Sequence, residues 1–324
     1  MAGVVWAAVA GIGFGLFQSV NRAALRGMDA YASTFLQLLV SAVILAAVSL
    51  ATGDPRRLAD APASAWLSFA AAGLVHFSVG WTLLNLSQQR LGAARTSPLL
   101  ASVPLFGVVA AAVTLHEVPG PLELAGVALI VGGVYAVELD RIGGLRRPRR
   151  VEQPVAADRW ADPLAPGPDG QAGGPRPARP APAWTASLFG LGTALCWAVS
   201  PILIREGLRG LPSPLLGVTV GMVAATVAYG LALPLRRRRL RVTWDALAWK
   251  LAAGVLVAVS TWTRWYAVAL VPVAVVLALG LLSVPTVLAA APLLVGRQHE
   301  RVTAPVLAGS ALVVAGALVI GAAS

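Results

Sequence analysis

The stretch LDRIGGLRRPRRVEQPVAADRWADPLAPGPDGQAGGPRPARPAPA, residues 139–183, decides how this chain is organised. Proline, glycine, alanine and arginine dominate it, and β-branched and aromatic side chains are almost absent. Such a segment cannot bury enough apolar surface to offset the entropy that ordering would cost. We therefore predict a disordered linker at 139–183 between two apolar domains, residues 1–138 and 184–324.

The two apolar blocks repeat the same landmarks in the same order, which indicates an internal duplication. The pair His116-Glu117 is followed eight positions later by Leu124-Ala125-Gly126, and His299-Glu300 is followed at the same spacing by Leu307-Ala308-Gly309. Three further motifs match between the blocks: Arg22–Gly27 with Arg205–Gly210, Trp81-Thr82 with Trp262-Thr263, and Ser102–Pro104 with Ser283–Pro285.

Composition places the chain among polytopic membrane proteins. It is 57% hydrophobic and 12% charged, with a mean hydropathy of +0.76, whereas an ordinary soluble domain has about 25% charged residues. The net charge of +11 is carried almost wholly by arginines in the linker and short loops. Membrane topology and anionic headgroups account for these arginines, so we predict no nucleic-acid partner. The single cysteine, Cys196, excludes an internal disulfide.

Ten apolar runs of bilayer-spanning length follow one another, five in each block. They lie near 3–21, 30–51, 64–86, 92–115 and 119–138, and then near 184–205, 212–234, 246–268, 272–295 and 303–323. Backbone groups in lipid must be satisfied internally, so the expected fold is all-α with ten transmembrane helices. Because five is odd, the second block enters the membrane from the opposite side, and we expect two inverted repeats.

Inverted repeats of this kind predict alternating-access transport with the substrate between the halves. No ATP-binding loop is present, so the energy would come from a proton gradient or from substrate exchange, and no cofactor is predicted.

The stretch NLSQQRLGAARTSPLLASVPL, residues 85–105, resembles the drug/metabolite transporter superfamily, and within it the ten-helix proteins with two EamA domains. The second block carries a similar pattern at 265–274, at Ser283–Pro285 and at Arg297–Glu300. The resemblance covers nearly the whole chain except the linker. It implies a secondary transporter of the cell membrane that moves small metabolites such as amino acids, nucleobases or sugar derivatives, often outward.

Two arguments about orientation disagree. The family resemblance implies that both termini face the cytoplasm, which would place the linker outside. The linker and the arginine-rich loop at 236–241 lie on the same side, and the positive-inside rule would place that side in the cytoplasm. Both orientations stay open at this point.

Two basic side chains stand out within the spans. His76, near the centre of the third span, is interpreted as the only titratable group at mid-membrane depth, and it could serve proton linkage or form a neutral hydrogen bond between helices. Arg264, flanked by Trp262 and Trp265, could hold a carboxylate or phosphate with its fork of donors, or could extend to the headgroups. No acidic residue lies near the middle of a span, which disfavours a carboxylate proton relay.

Neutral polar groups and tryptophans complete the predicted substrate site. Taken together they describe a cavity that is polar but uncharged, although each polar group alone is also a common contact between helices. The predicted binding set is Gln18, Asn21, Gln37, His76, Trp81, Asn85, Trp197, Ser200, Trp262 and Arg264.

The sequence thus predicts a secondary transporter, in the exporting direction, of a small polar organic metabolite. A flippase for a lipid-linked or polyprenyl-linked headgroup is the alternative, and a lateral opening to lipid beside Arg264 would favour it. We predict no enzymatic activity and no metal site, because His116-Glu117 and His299-Glu300 lack the second histidine of a helical zinc motif.

Overall fold

A computed structural model describes residues 2–52, 55–106, 120–146, 185–236, 242–271 and 273–323 of the chain. This part is helical apart from turns and one isolated antiparallel bridge between Met28 and Val242. The helices of the first half are α1 (Ala2–Ala24), α2 (Ala30–Thr52), α3 (Ala63–Leu91), α4 (Ala93–Leu100) and α5 (Pro121–Arg146). The helices of the second half are α6 (Thr185–Gly210), α7 (Pro214–Ala232), α8 (Trp244–Leu270), α9 (Val273–Gly280), α10 (Ser283–Leu294) and α11 (Ala304–Ala323).

Six of the described helices, α1, α2, α3, α6, α7 and α8, are long and apolar enough to cross a membrane. Shorter apolar stretches lie at Leu124–Val137, Ser283–Leu294 and Ala304–Val319. The outward side chains are large and apolar, such as Leu50, Leu67 and Leu231, each about 70% exposed, as expected of a surface that faces lipid. The chain is therefore a multi-pass membrane protein, whereas the arrangement of ten helices as inverted repeats stays a prediction.

The sequence predicts one helical span near 92–115 and one near 272–295, and the structure divides each of them into two helical segments separated by a turn. Helix α4 ends in a turn at Ala101 and Ser102 before helix resumes at residue 103, and α9 is separated from α10 by a turn at Leu281 and Leu282. The ring of a proline clashes with the carbonyl group four residues earlier. Pro104 and Pro285 place that clash at Leu100 and Leu281, where the helices are interrupted. The part of the predicted first-half span at 107–115 lies outside the described residues.

Helix α3 contains a π-helical segment from Leu74 to Gly80. A π segment inserts an extra residue into the turn, and it commonly marks a functional position. His76 lies in this segment, so its side chain and backbone carbonyl are placed differently from those of a regular helix.

The predicted linker lies outside the described residues from 147 onward. Its first residues, 139–146, continue helix α5, so the helix is longer than the predicted span at 119–138.

The two halves pack against each other in a reciprocal pattern. Helix α1 packs against α8, and α6 packs against α3; α2 packs against α7, and α5 against α11. The pair α1–α8 corresponds to the pair α6–α3, and α2–α7 and α5–α11 each join equivalent helices of the two halves. This pattern is expected for two copies related by a two-fold axis. The contact between them is filled by fully buried aromatic side chains: Phe17, Phe69, Phe77, Trp81 and Trp265.

Helices α5 and α11 approach most closely at glycines. A Cβ atom on Gly133 would lie 2.6 Å from the carbonyl oxygen of Gly309, whereas a Cβ on the neighbouring Gly132 would meet nothing within 4 Å. Small residues at such positions let helix backbones come together in a membrane.

We expect Gly133→Ala to destabilise the protein by about 1 to 3 kcal/mol, because the added methyl group forces the two backbones apart. Gly132→Ala is the matched control, and its higher helix propensity should leave the stability unchanged or slightly raised. Thermal unfolding of the two purified variants in detergent would measure the difference. Equal melting temperatures would show that the α5 and α11 contact tolerates separation.

Candidate functional site

Five helices from both halves, α1, α3, α6, α8 and α9, enclose a central cavity of about 30 Å³. Its polar groups belong to His76, Ser260, Thr261 and Arg264, while Phe14 and Trp197 form aromatic walls. A cavity of this size holds one or two water molecules. In this conformation the cavity is therefore too small to hold a larger organic ligand.

Arg264 supplies the positive charge of the central cavity. It lies six residues before the end of α8, about 9 Å along the helix axis. Two of its guanidinium atoms, Nε and Nη2, are buried and have no hydrogen-bond partner among the described residues. Buried donors without acceptors are costly, so the site is chemically suited to an anionic group that would accept from both.

His76 faces Arg264 across the cavity and is held by α6. Its Nδ1 atom lies 2.6 Å from the Ser200 hydroxyl, and its ring stacks on Trp197 with the centroids 5.4 Å apart. The Trp197 indole also donates to the His76 carbonyl oxygen at 3.4 Å. The structure thus brings together three residues of the predicted set, His76, Trp197 and Ser200, at the edge of the cavity that Arg264 lines.

Four other members of the predicted set form a separate group, the amide cluster, near the opposite end of α8. Asn21 donates from Nδ2 to Asn85 Oδ1 at 2.7 Å and to Gln88 Oε1 at 2.8 Å. Asn85 in turn donates to the Thr34 hydroxyl at 2.8 Å. The cluster consists of Gln18, Asn21, Gln37, Asn85 and Gln88 with Thr34, all fully buried.

Lys250 occupies the centre of the amide cluster, and the sequence-based prediction missed it. The side chain is fully buried, and its Nζ donates to Asn21 Oδ1 and, at 2.6 Å, to Gln37 Oε1. Lys250 is therefore a further titratable group inside the helix bundle, in addition to His76. Lys250 lies six residues into α8, but the predicted span began at residue 246, so the lysine resembled an interfacial residue in the sequence.

Two tryptophans of the predicted set do not line the central cavity. Trp81 is buried among aromatic rings, 4.9 Å from Phe77 and 6.4 Å from Phe17. Trp262 contacts Tyr266 edge to face at 5.9 Å. Both therefore contribute packing in this conformation.

Beyond the amide cluster an ion pair joins the two halves. Arg22 Nε donates to Glu300 Oε1 at 2.7 Å, and the Glu300 carboxylate also accepts from the backbone N–H of Ala94 at 3.0 Å. Gly92, with φ of +85°, lets the backbone pass so close that an added Cβ would lie 2.7 Å from Glu300. The carboxylate thus ties α1 and the start of α4 to the loop before α11.

A second, larger cavity of about 320 Å³ lies between α3 and α7. Its wall includes Leu74 and Val79, which are exposed on the outer surface, and the hydroxyl groups of Thr82 and Tyr229, 3.1 Å apart. It is separate from the central cavity, because Arg264 is not among its lining residues.

Among the residues described, no group of three or more His, Cys, Asp or Glu side chains is placed to hold a metal ion.

The first part of the chain is similar to a known protein family. Residues 1–139 match the EamA-like transporter family. A protein described as a probable terminal-alkyne amino-acid exporter, from Streptantibioticus cattleyicolor, is 35% identical over 88 residues. That match covers 27% of this chain and 30% of the relative, less than a third of the relative's length.

The overall shape is also found in a solved structure described as "Crystal structure of protein". The similarity covers 96% of this chain and 95% of the other, with a TM-score of 0.56 and 18% sequence identity. At this identity the comparison shows a shared fold.

Proposed function

We propose that this protein is a secondary active transporter that exports a small polar metabolite carrying a carboxylate or similar anionic group. The observation that carries the proposal is Arg264, whose two unpartnered guanidinium atoms lie in a buried cavity enclosed by both halves. The anionic group would bind the guanidinium fork, and His76, Ser260 and Thr261 would contact the remaining polar atoms. The residues 184–324 would act as a second EamA-type repeat, and the halves would move in alternating access.

The class of substrate is supported by two independent considerations. A planar guanidinium binds a carboxylate through two parallel, charge-assisted hydrogen bonds, and a neutral sugar or nucleobase has no negative charge to strengthen them. The relative from Streptantibioticus cattleyicolor is named as an amino-acid exporter. We therefore place α-amino acids and related carboxylates first among the substrates, with export across the plasma membrane, and transport rather than catalysis as the activity.

A flippase for a lipid-linked headgroup is the second candidate, and the cavity between α3 and α7 is the observation in its favour. That cavity opens among outward-facing apolar side chains, as a path for an acyl or polyprenyl chain would. However, it lies away from Arg264, which would have to bind the headgroup.

The proposal is tested by substrate exchange in proteoliposomes that contain the full-length protein. Radiolabelled L-alanine and L-propargylglycine, the latter a small terminal-alkyne amino acid, are the probes, and their methyl esters are the matched controls that lack the carboxylate. We expect the protein to exchange the amino acids. We expect no protein-dependent exchange of their methyl esters. Equal exchange of acid and ester would contradict carboxylate recognition, and movement of lipid-linked sugars alone would favour the flippase.

A further inference from the structure

Lys250 is the only lysine in the 324-residue chain; every other member of the 25 Lys and Arg residues is an arginine. The side chain is fully buried within the first turns of α8. The two kinds of basic residue differ in chemistry, because arginine keeps its proton in proteins, whereas a buried lysine readily exchanges it. Of the 25 lysine and arginine side chains, the one that can readily lose its proton therefore lies inside the helix bundle.

The ligands of Lys250 are neutral amides. Its ammonium donates to the side-chain oxygens of Asn21 on α1 and Gln37 on α2, and no acidic residue in the described parts of the chain forms an ion pair with it. A carboxylate partner would hold the ammonium in its charged form. Amide oxygens stabilise the ammonium but leave no unbalanced negative charge when the proton departs.

The Gln37 amide can serve both protonation states of the lysine. Its Oε1 atom accepts from the ammonium at 2.6 Å, while its buried Nε2 atom has no partner among the described residues. Rotating the amide by half a turn would break only the bond to Lys250, and it would present an N–H donor to the lone pair of a neutral amine. Asn21 cannot rotate so freely, because its Nδ2 atom is bonded to Asn85 and Gln88.

None of the other ionisable groups on the described helices around α8 forms a hydrogen bond or an ion pair with Lys250. Arg22 of α1 pairs with Glu300, and Glu206 of α6 pairs with Arg209 at the exposed end of that helix. The remaining ionisable groups on α8 and on the described parts of the helices that contact it, including α3 through Phe69 and Phe77, are Tyr31, His76, Arg90, Cys196, Arg205, Tyr229, Asp245, Arg264 and Tyr266. Asp245, the acidic residue on α8 itself, is exposed to solvent.

The same two helices connect Lys250 to the central cavity. Helix α8 carries Lys250 and, 14 residues later and about 21 Å along its axis, Arg264. Helix α1 carries Asn21 in the amide cluster and Phe14 in the cavity wall. A displacement of α8 against α1 that opens the cavity would therefore also change the contact between Lys250 and Asn21.

We propose that Lys250 is the proton-binding site that couples metabolite export to the proton gradient. The step is Lys–NH₃⁺ ⇌ Lys–NH₂ + H⁺: the amine takes a proton from water on one side of the membrane and returns it to water on the other. One proton moves inward for each metabolite that moves outward. The inference rests on the proposed export function and adds the identity of the coupling residue.

The test compares two measurements on proteoliposomes containing the full-length protein, with L-alanine and L-propargylglycine as the probes. The first is exchange without a pH gradient, and the second is accumulation driven by an imposed pH gradient. Lys250→Gln and Lys250→Arg should each retain exchange, since Lys250 does not line the cavity, and should lose gradient-driven accumulation. Gln37→Glu should produce the same loss, because the new carboxylate would hold the ammonium in place.

The outcomes separate the two proposals. Absence of exchange by the wild-type protein would overturn the export function, whereas exchange that no pH gradient drives would overturn the coupling role alone. Retained gradient-driven accumulation in Lys250→Gln would also overturn it.

A spectroscopic measurement covers the case in which the variants fail to fold. Carbon-13 labelling of lysine at Cε alone gives one side-chain NMR signal, because the chain has one lysine. We expect that signal to move between its ammonium and amine positions across the pH range in which wild-type transport depends on pH. A signal fixed at one position over that range would show that another group carries the proton.

Discussion

Arg264→Gln is expected to raise the KM for an exported carboxylate by roughly 100-fold, because it removes the charged half of a buried, hydrogen-bonded pair. Glutamine keeps one amide donor but has neither the charge nor the two parallel N–H groups of the guanidinium. The measurement is the concentration dependence of exchange in proteoliposomes, with folding checked by gel filtration. The effect should fall on KM, since the arginine binds the substrate and transport leaves the substrate chemically unchanged.

Two controls make the result specific to the fork of donors. Arg264→Lys keeps a positive charge as a point donor, and an intermediate KM is expected because the bidentate geometry is lost. Arg205→Gln removes an exposed arginine on α6 and should leave the KM unchanged. If Arg264→Gln exchanged substrate with the wild-type KM, the guanidinium would be a packing residue and the anion would bind elsewhere.

The positions of the helices could be predicted from the sequence because bilayer thickness sets the length of an apolar run. The predicted spans at 30–51 and 303–323 differ from helices α2 and α11 by one residue at an end. The breaks before Pro104 and Pro285 were harder to predict, because some prolines in membrane helices bend the helix and others interrupt it. The π segment around His76 leaves no mark in residue type at all.

The candidate site was predictable as a set of polar residues but not as two separate groups. Periodicity places Asn21, Gln37 and Asn85 on helices, but which helices face one another depends on the packing of the two halves. Lys250, the shared partner of Asn21 and Gln37, lies more than 200 positions from each of them in the chain. The signal that could have found it is compositional: in a chain whose basic residues are otherwise all arginine, a lone lysine within an apolar run is unusual.

Glu300→Gln should lower the stability of the protein by roughly 2 to 3 kcal/mol, because it leaves a largely buried arginine without its counter-charge. The side chain of Glu300 is 1% exposed and that of Arg22 is 15% exposed, so solvent compensates little for the lost attraction. The glutamine oxygen can still accept from the Ala94 N–H, so the loss reports on the charge and not on the helix cap.

Glu206→Gln is the matched control for this substitution. Its ion pair with Arg209 has a similar length, 2.5 Å, but the two side chains are 55% and 72% exposed. Exposed pairs contribute about 0 to 1 kcal/mol, so the melting temperature of this variant in detergent should stay close to that of the wild type. Both substitutions replace a glutamate paired with an arginine, and the comparison sets a buried pair between the two halves against an exposed pair within one helix. A Glu300→Gln melting temperature equal to that of Glu206→Gln would mean that Arg22 finds water or another acceptor once the carboxylate is gone, and that the pair does not hold the two halves together.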